Sequence, residues 1–150
     1  MLKIFDKISI KNQEKILKYL HAYTVNTHKD KKIVDYFNDD DEIGIIKSGS
    51  IEIIQNNYNG TKTILYNLGE NDLIGSKFIY LKNDEYEIIT KEETEIIIFN
   101  YSEIERYDDI SDKSYCQFIK NLLVLTNDIL TAKIERIEIL TKKTIRSKLL

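Results

Sequence analysis

From Asp112 to Leu140 the chain contains no glycine or proline, and apolar residues recur there at helical spacing. Phe118, Leu122, Leu125, Ile129, Ala132 and Ile139 fall on a three-four alternation, with Arg136 in the same row. Ile119, Leu123, Leu130, Ile134 and Ile137 form a second row beside it. Residues three and four apart share one face of an α-helix. A helix over this stretch runs ~43 Å at a rise of ~1.5 Å per residue. One small domain cannot cover two apolar rows of that length. One row can lie on the rest of the fold, and the other needs a partner. The simplest partner is a second copy, so a homodimer is expected. Its seam is assigned to Phe118, Leu122, Leu125, Ile129, Ala132 and Arg136, tightest from Leu122 to Ala132, with Arg136 paired to a carboxylate such as Glu135 or Glu138 across it.

Before the helix the period changes. Lys11 to Leu20 reads as a short amphipathic helix capped by Ser9. From Ala22 to Asn100 short β-rich runs alternate with polar or glycine turns: Ala22–Thr27, Lys32–Tyr36, Glu42–Ser48, Ser50–Asn56, Thr61–Leu68, Glu85–Thr90 and Thr94–Asn100. Many short strands at this spacing make a roll or jelly roll, mainly β with α. Asn59-Gly60 predicts a hairpin with a type I′ turn, and Ser48-Gly49-Ser50 a second tight junction. Tyr101 to Asp108 predicts a short helix leading into the long one. A break is expected near Thr141, where Leu140-Thr141-Lys142-Lys143-Thr144-Ile145-Arg146 reads as a fresh, threonine-capped start. The apolar close on Leu149-Leu150 predicts that the natural chain continues.

Composition narrows the function. The 150 residues are 42% hydrophobic and 31% charged, which is globular. The abundance of Ile, Asn, Lys and Tyr reads as an AT-rich genome. The net charge of -3 argues against this stretch gripping nucleic acid unaided, because phosphate neutralisation supplies most of such affinity. No apolar run suffices for a transmembrane helix, and the N-terminus lacks a signal-peptide pattern. With Cys116 as the single cysteine, no internal disulfide, CxxC site or four-thiolate iron–sulfur cluster is possible. The cytoplasm is the expected location. His21 and His28 read as ordinary surface residues rather than haem ligands, and no cofactor or metal is expected. Motifs of enzymes, such as GxSxG or a P-loop, are absent, so catalysis is not expected.

Helix, β-roll, long helix and threonine-capped helix together resemble the Crp/Fnr family of bacterial transcription regulators. Ile45-Ile46-Lys47-Ser48-Gly49-Ser50-Ile51-Glu52-Ile53 is similar to the family's strand-Gly-strand junction, and Asn59-Gly60-Thr61-Lys62-Thr63-Ile64-Leu65 to its glycine hairpin. Asn71-Asp72-Leu73-Ile74-Gly75 resembles the G-D-x-[IF]-G opening of its phosphate-binding cassette, with Asn71 where glycine is usual. The resemblance implies a double-stranded β-helix (jelly roll) of cyclic-nucleotide-binding type over 1–110, a dimerisation helix over 111–140, and the start of a linker helix over 141–150. It further implies DNA contact through a C-terminal helix-turn-helix not in this chain.

The same resemblance bears on the ligand. In the family's cyclic AMP binders a Glu takes the ribose hydroxyl and an Arg-Ser/Thr pair takes the phosphate. Here Ser76 stands at the Glu position, and Tyr86 and Glu87 stand near the Arg-Ser positions. The segment Lys82-Asn83-Asp84-Glu85-Tyr86-Glu87 brings three carboxylates where an anion should sit, so cyclic AMP recognition of the usual kind is not expected. Thr131 falls where the dimer helix supplies a hydroxyl to the nucleobase, or it is a helix-surface residue bonding back to a carbonyl. Tyr66, Tyr80, Tyr86, Phe78 and Thr131 suit an aromatic or neutral polar effector, or else the aromatics simply fill the roll. The alternative function is a stand-alone module of this type whose long helix docks a protein partner and never touches DNA.

Overall fold

The computed structural model describes residues 2–38, 41–75, 85–109 and 111–149, the stretch past residue 132 chiefly as backbone. Helix α1 (Ile10–Tyr19) precedes antiparallel strands β1 (Tyr23–Thr27), β2 (Glu42–Ser48), β3 (Ile51–Asn56), β4 (Lys62–Leu68), β5 (Leu73–Gly75), β6 (Tyr86–Thr90) and β7 (Thr94–Asn100). A short helix α2 (Tyr101–Arg106) and the long helix α3 (Lys113–Leu149) follow. The strands form two sheets, ordered β1-β7-β2-β5 and β4-β3-β6, the expected jelly roll.

β7 shows why the sequence takes this form. Ile96, Ile97, Ile98 and Phe99 are consecutive, and none is more than 7% exposed. Side chains on a strand alternate between faces. Ile96 and Ile98 point between the sheets, where they pack with Ile33, Ile46, Ile51, Ile53, Ile74 and Ile88. Ile97 and Phe99 point outward, onto a second core built from the helices and the N-terminus. A strand buried on both faces reads as an unbroken apolar run. β2 does the same, with Ile43 and Ile45 toward the helices and Ile46 toward the sandwich.

Turn chemistry sets the register. Gly49 has φ +99°, and a Cβ there would collide with Thr94 Oγ1 and the Glu93 carbonyl, so only glycine fits the β2–β3 junction. The Asn59-Gly60 hairpin differs from the expected type I′ turn, because only Gly60 takes a positive φ. The Gly60 amide donates to the Asn57 carbonyl at 3.1 Å and the Asn57 amide to the Thr61 carbonyl at 2.9 Å. That is a turn closed by a left-handed glycine, the pattern of a slightly longer loop. The strand expected over Lys32–Tyr36 is instead a 3-10 turn over Ile33–Tyr36, joined to the sheet by a Lys32–Ile89 bridge and by the Tyr23 hydroxyl, which donates to the Tyr36 carbonyl. Ile33 alone drops into the core, while the Asp35 and Phe37 amides bond back to the Lys32 and Val34 carbonyls.

Helix α3 is continuous through Leu149, without the break expected near Thr141. A threonine can sit within a helix when the helical ladder around it is intact, so a cap residue alone does not end one. The first turns of α3 lie on the roll. Phe118 is 1% exposed, its ring 6.2 Å from Phe5 and 6.1 Å from Phe99. Leu125 is 7% exposed in the same core. Phe118 and Leu125, expected at a dimer seam, are thus buried within one chain, where each contributes on the order of 1.5–3 kcal/mol. Asn121 Nδ2 donates to the Ile4 and Asp6 carbonyls, each at 2.9 Å, tying α3 to the N-terminal 3-10 turn (Lys3–Phe5).

Asp112 opens α3. Its Oδ1 accepts from the Tyr115 amide at 3.1 Å, a helix cap, and its Oδ2 accepts from the Tyr107 hydroxyl. The Tyr107 hydroxyl first, then the Tyr115 amide, hold the Asp112 carboxyl below its ordinary value. Asp112 thus ionises more readily folded than unfolded. Its stabilisation is present above the unfolded-state pKa and is lost as pH falls through the lower folded value. Asp112→Ala should cost about 1 kcal/mol at neutral pH, and the gap from wild type should close in acid. Urea unfolding followed by circular dichroism at both pH values checks this; a gap that widens in acid overturns it.

Candidate effector cavity

Between the β3–β4 face of the roll and α3 lies a cavity of about 340 Å³. The roll contributes Ile53, Tyr66, Leu68 and Leu73, and the helix contributes Leu125, Ile129 and Ala132. Tyr66 and Leu68 sit two apart on β4, so they share a face, as strand geometry requires. Leu125, Ile129 and Ala132 follow four and three apart, one face of α3. Mostly apolar walls with a few polar groups are the usual form of a small-molecule site.

The polar rim comes from the β4–β5 turn, Gly69-Glu70-Asn71-Asp72. The Asp72 amide donates to the Gly69 carbonyl at 3.0 Å, and Asp72 Oδ2 accepts from the Gly69 amide at 2.7 Å. Asn71 takes φ +74°, a left-handed conformation that Asn tolerates better than most residues. Its Oδ1 also accepts from the Lys3 backbone amide at 2.7 Å. A glycine could supply the backbone shape but not that bond, which accounts for asparagine here. Backbone bonds between Ile46 and both Asn71 and Asp72 then fasten the turn to β2. Gly75, ending β5, passes so close to β2 that a Cβ would meet the Glu42 carbonyl oxygen at 2.8 Å.

The charges lining the cavity are Lys3 against Glu70, Asp72 and Asp128, so among the described residues it is acidic. Among the described residues no arginine lines it.

The sequence-based candidates divide around this cavity. Tyr66, Leu125, Ile129 and Ala132 line it. Thr131 is exposed beside Ala132 but is not part of the lining. Tyr86 is half-buried on β6 and also outside the lining. The Glu87 carboxylate is engaged elsewhere, 3.2 Å from Lys62 Nζ on β4. Ser76 lies outside the described residues, as does the side chain of Arg136. Leu122 is half-buried and lines a separate groove of about 350 Å³ with Ile43, Tyr101, Ile104 and Leu123. Sequence reasoning missed Leu68 and Asp128, and met Asp72 only within the Asn71–Gly75 motif. Leu68 was readable from its two-residue offset to Tyr66, and Asp128 from its four-residue offset to Ala132. Nothing in the sequence pointed to Lys3.

The second apolar row of α3 has a different fate. Leu123 and Leu130 are 63% and 56% exposed, Leu123 at the edge of the groove it shares with Ile43 and Tyr101.

Comparison with known proteins decides the family. Residues 24–108 match the sequence pattern of the cyclic nucleotide-binding domain. The chain belongs to the cyclic nucleotide-binding domain family. The fold is shared with the catabolite activator protein of Thermus thermophilus (16% identity, TM-score 0.62), over 93% of this chain and 63% of that one. A CooA variant from Carboxydothermus hydrogenoformans is also similar (13% identity, TM-score 0.65), over 98% of this chain and 93% of that one. So is a cyclic nucleotide-binding domain from Methylobacillus flagellatus (13% identity, TM-score 0.59), over 90% and 76%. At these identities the likeness establishes the fold. The chain spans less than two thirds of the Thermus protein. No curated protein matches it by sequence.

The turn yields a graded prediction. Asn71→Gly keeps the backbone shape and loses one hydrogen bond, about 1 kcal/mol. Asn71→Ala loses the bond and adds left-handed strain of about 1–2 kcal/mol. Chemical denaturation should rank wild type above Gly above Ala; an alanine variant as stable as wild type contradicts the role given to Asn71.

Proposed function

We propose that this chain is the effector-sensing and dimerisation part of a Crp/Fnr-like bacterial transcription regulator, a cytoplasmic binding module rather than an enzyme. DNA is then read by a domain C-terminal to these residues. One observation carries the proposal: the same turns of α3 serve two surfaces. Leu125, Ile129 and Ala132 form a wall of the cavity, while Leu123 and Leu130 stand exposed on the other side. A ligand touching one face can therefore bias how a helix partner meets the other. That is a bistable element of the kind sensors use.

The seam follows the second apolar row, centred on Leu123 and Leu130, and leaves Phe118 and Leu125 to the roll. Val124, 60% exposed, lies beside it. Leu122, Ile129, Ala132 and Arg136 contribute to the seam only at its border. Leu123→Asp or Leu130→Asp should convert a dimer to a folded monomer, read by light scattering with unchanged circular dichroism. Leu125→Asp should instead unfold the protein, because it buries a charge in the core. A dimer that survives both surface changes overturns the seam.

Cyclic AMP is not the effector in this reading. A phosphate about 4 Å from one carboxylate meets about 4 kcal/mol of repulsion at an effective dielectric near 20. The effector is a small molecule of other chemistry. Saturating a site raises stability by a few kcal/mol, or roughly 5 °C and more in Tm for a chain of this size. Millimolar cyclic AMP should leave the melting temperature within about 1 °C; a rise of several degrees overturns this part of the proposal.

A further inference from the structure

We propose that the β3–β4 turn modifies itself: the backbone nitrogen of Gly60 attacks the Asn59 side-chain amide, which ends as a carboxylate. Asn59 is the only asparagine in the chain followed by glycine, and both residues are exposed. Apart from the chain neighbours, nothing lies within 4 Å of the place a Gly60 Cβ would take, so nothing crowds the attacking nitrogen. The turn is no part of the cavity wall.

The fold also prepares the carbon that is attacked. Asn59 Oδ1 accepts from the Thr61 amide at 3.1 Å and from the Thr61 hydroxyl at 2.6 Å. That hydroxyl accepts from Asn57 Nδ2 at 3.1 Å, which leaves its own proton directed at Asn59. Asn57 Nδ2 also reaches Thr63 Oγ1 at 2.9 Å, so the hydroxyl's partner is itself held. A pair of donors on one carbonyl oxygen draws electrons from its carbon and stabilises the negative charge that develops there. One bond opposes the attack: the Gly60 amide donates to the Asn57 carbonyl at 3.1 Å. An exposed turn bond of this kind opens readily.

Water is the only co-reactant. It removes the Gly60 amide proton, the nitrogen's electron pair forms a bond to Asn59 Cγ, and the carbonyl π pair moves onto Oδ1. The pair returns, the Cγ–Nδ2 bond breaks, and the side-chain nitrogen takes a proton back from water and leaves as ammonia. A water molecule then opens the cyclic imide at either carbonyl, giving aspartate or isoaspartate at position 59. Aspartate adds a negative charge to the tip. Isoaspartate adds a carbon to the backbone and lengthens the loop that the Asn57–Thr61 and Gly60–Asn57 backbone bonds close.

Wild type, Thr61→Val and Thr61→Ser, each as the whole 150-residue chain, are incubated at mildly alkaline pH, folded or in guanidinium chloride. Circular dichroism confirms the folded state, and peptide mass spectrometry follows residue 59. In the folded wild type Asn59 should convert faster than any other asparagine. Thr61→Val, which loses the hydroxyl donor and keeps the amide, should convert about fivefold more slowly, while Thr61→Ser matches wild type. In guanidinium chloride all three should convert alike, because the turn is gone. Equal folded rates for wild type and Thr61→Val, or a slowing by valine that persists in guanidinium chloride, overturn the role of the turn. A folded wild type that keeps Asn59 intact while the unfolded chain loses it shows that the turn protects the residue, and overturns the proposal.

Discussion

Docking of α3 on the outer face of the four-stranded sheet organises the rest of the molecule. Phe118, Tyr115 and Leu125 meet Ile43, Ile45, Ile97 and Phe99 there, so the middle strands are buried on both sides. Without the helix, that face would expose a large apolar patch to water. Asn121 adds direction to this nonspecific burial. Its amide reaches two carbonyls of the N-terminal turn and so ties helix, N-terminus and sheet into one body. The helix position in turn defines the cavity, since Leu125 closes the core at one edge and the cavity at the other.

The faces of one helix meet different surroundings. Facing the roll, α3 supplies core at Phe118 and cavity wall from Leu125 to Ala132. Leu123 and Leu130, by contrast, are more than half exposed among the described residues. The cavity's other wall is anchored with equal care. Asn71 holds a left-handed turn and the N-terminal backbone at once, and Ile46 fastens that turn to β2. A hydrogen-bonded turn thus frames the cavity on one side and an apolar helix face on the other.

Much of the fold was legible because burial on two faces writes long apolar runs. Glu42–Ser48 and Thr94–Asn100 are bounded in the structure as the sequence suggested. The Lys32–Tyr36 run failed because its apolar residues were too few to show a period, and Ile33 alone found the core. β5 was read only as part of a motif, since three residues carry no periodic signal. The hairpin turn was misread in type because one glycine with positive φ satisfies more than one loop. In the site, Tyr66, Leu125, Ile129 and Ala132 could be named in advance, whereas Tyr86 and Glu87 could not be placed. A motif position states an alignment, and the ion pair of Glu87 with Lys62 depends on how β4, β3 and β6 lie side by side.

By itself the sequence determined the elements: a roll of short strands, a long helix with two apolar rows, a single cysteine, and an acidic net charge. Those properties are local, set by periodicity, turn residues and composition. Only the tertiary structure decided that Phe118 and Leu125 meet the roll while Leu123 and Leu130 are largely exposed. Both rows have the same spacing and similar hydrophobicity, so nothing along the chain distinguishes them. The choice comes from the rotation of α3 that seats Phe118 between Phe5 and Phe99 and brings Asn121 to the N-terminal carbonyls.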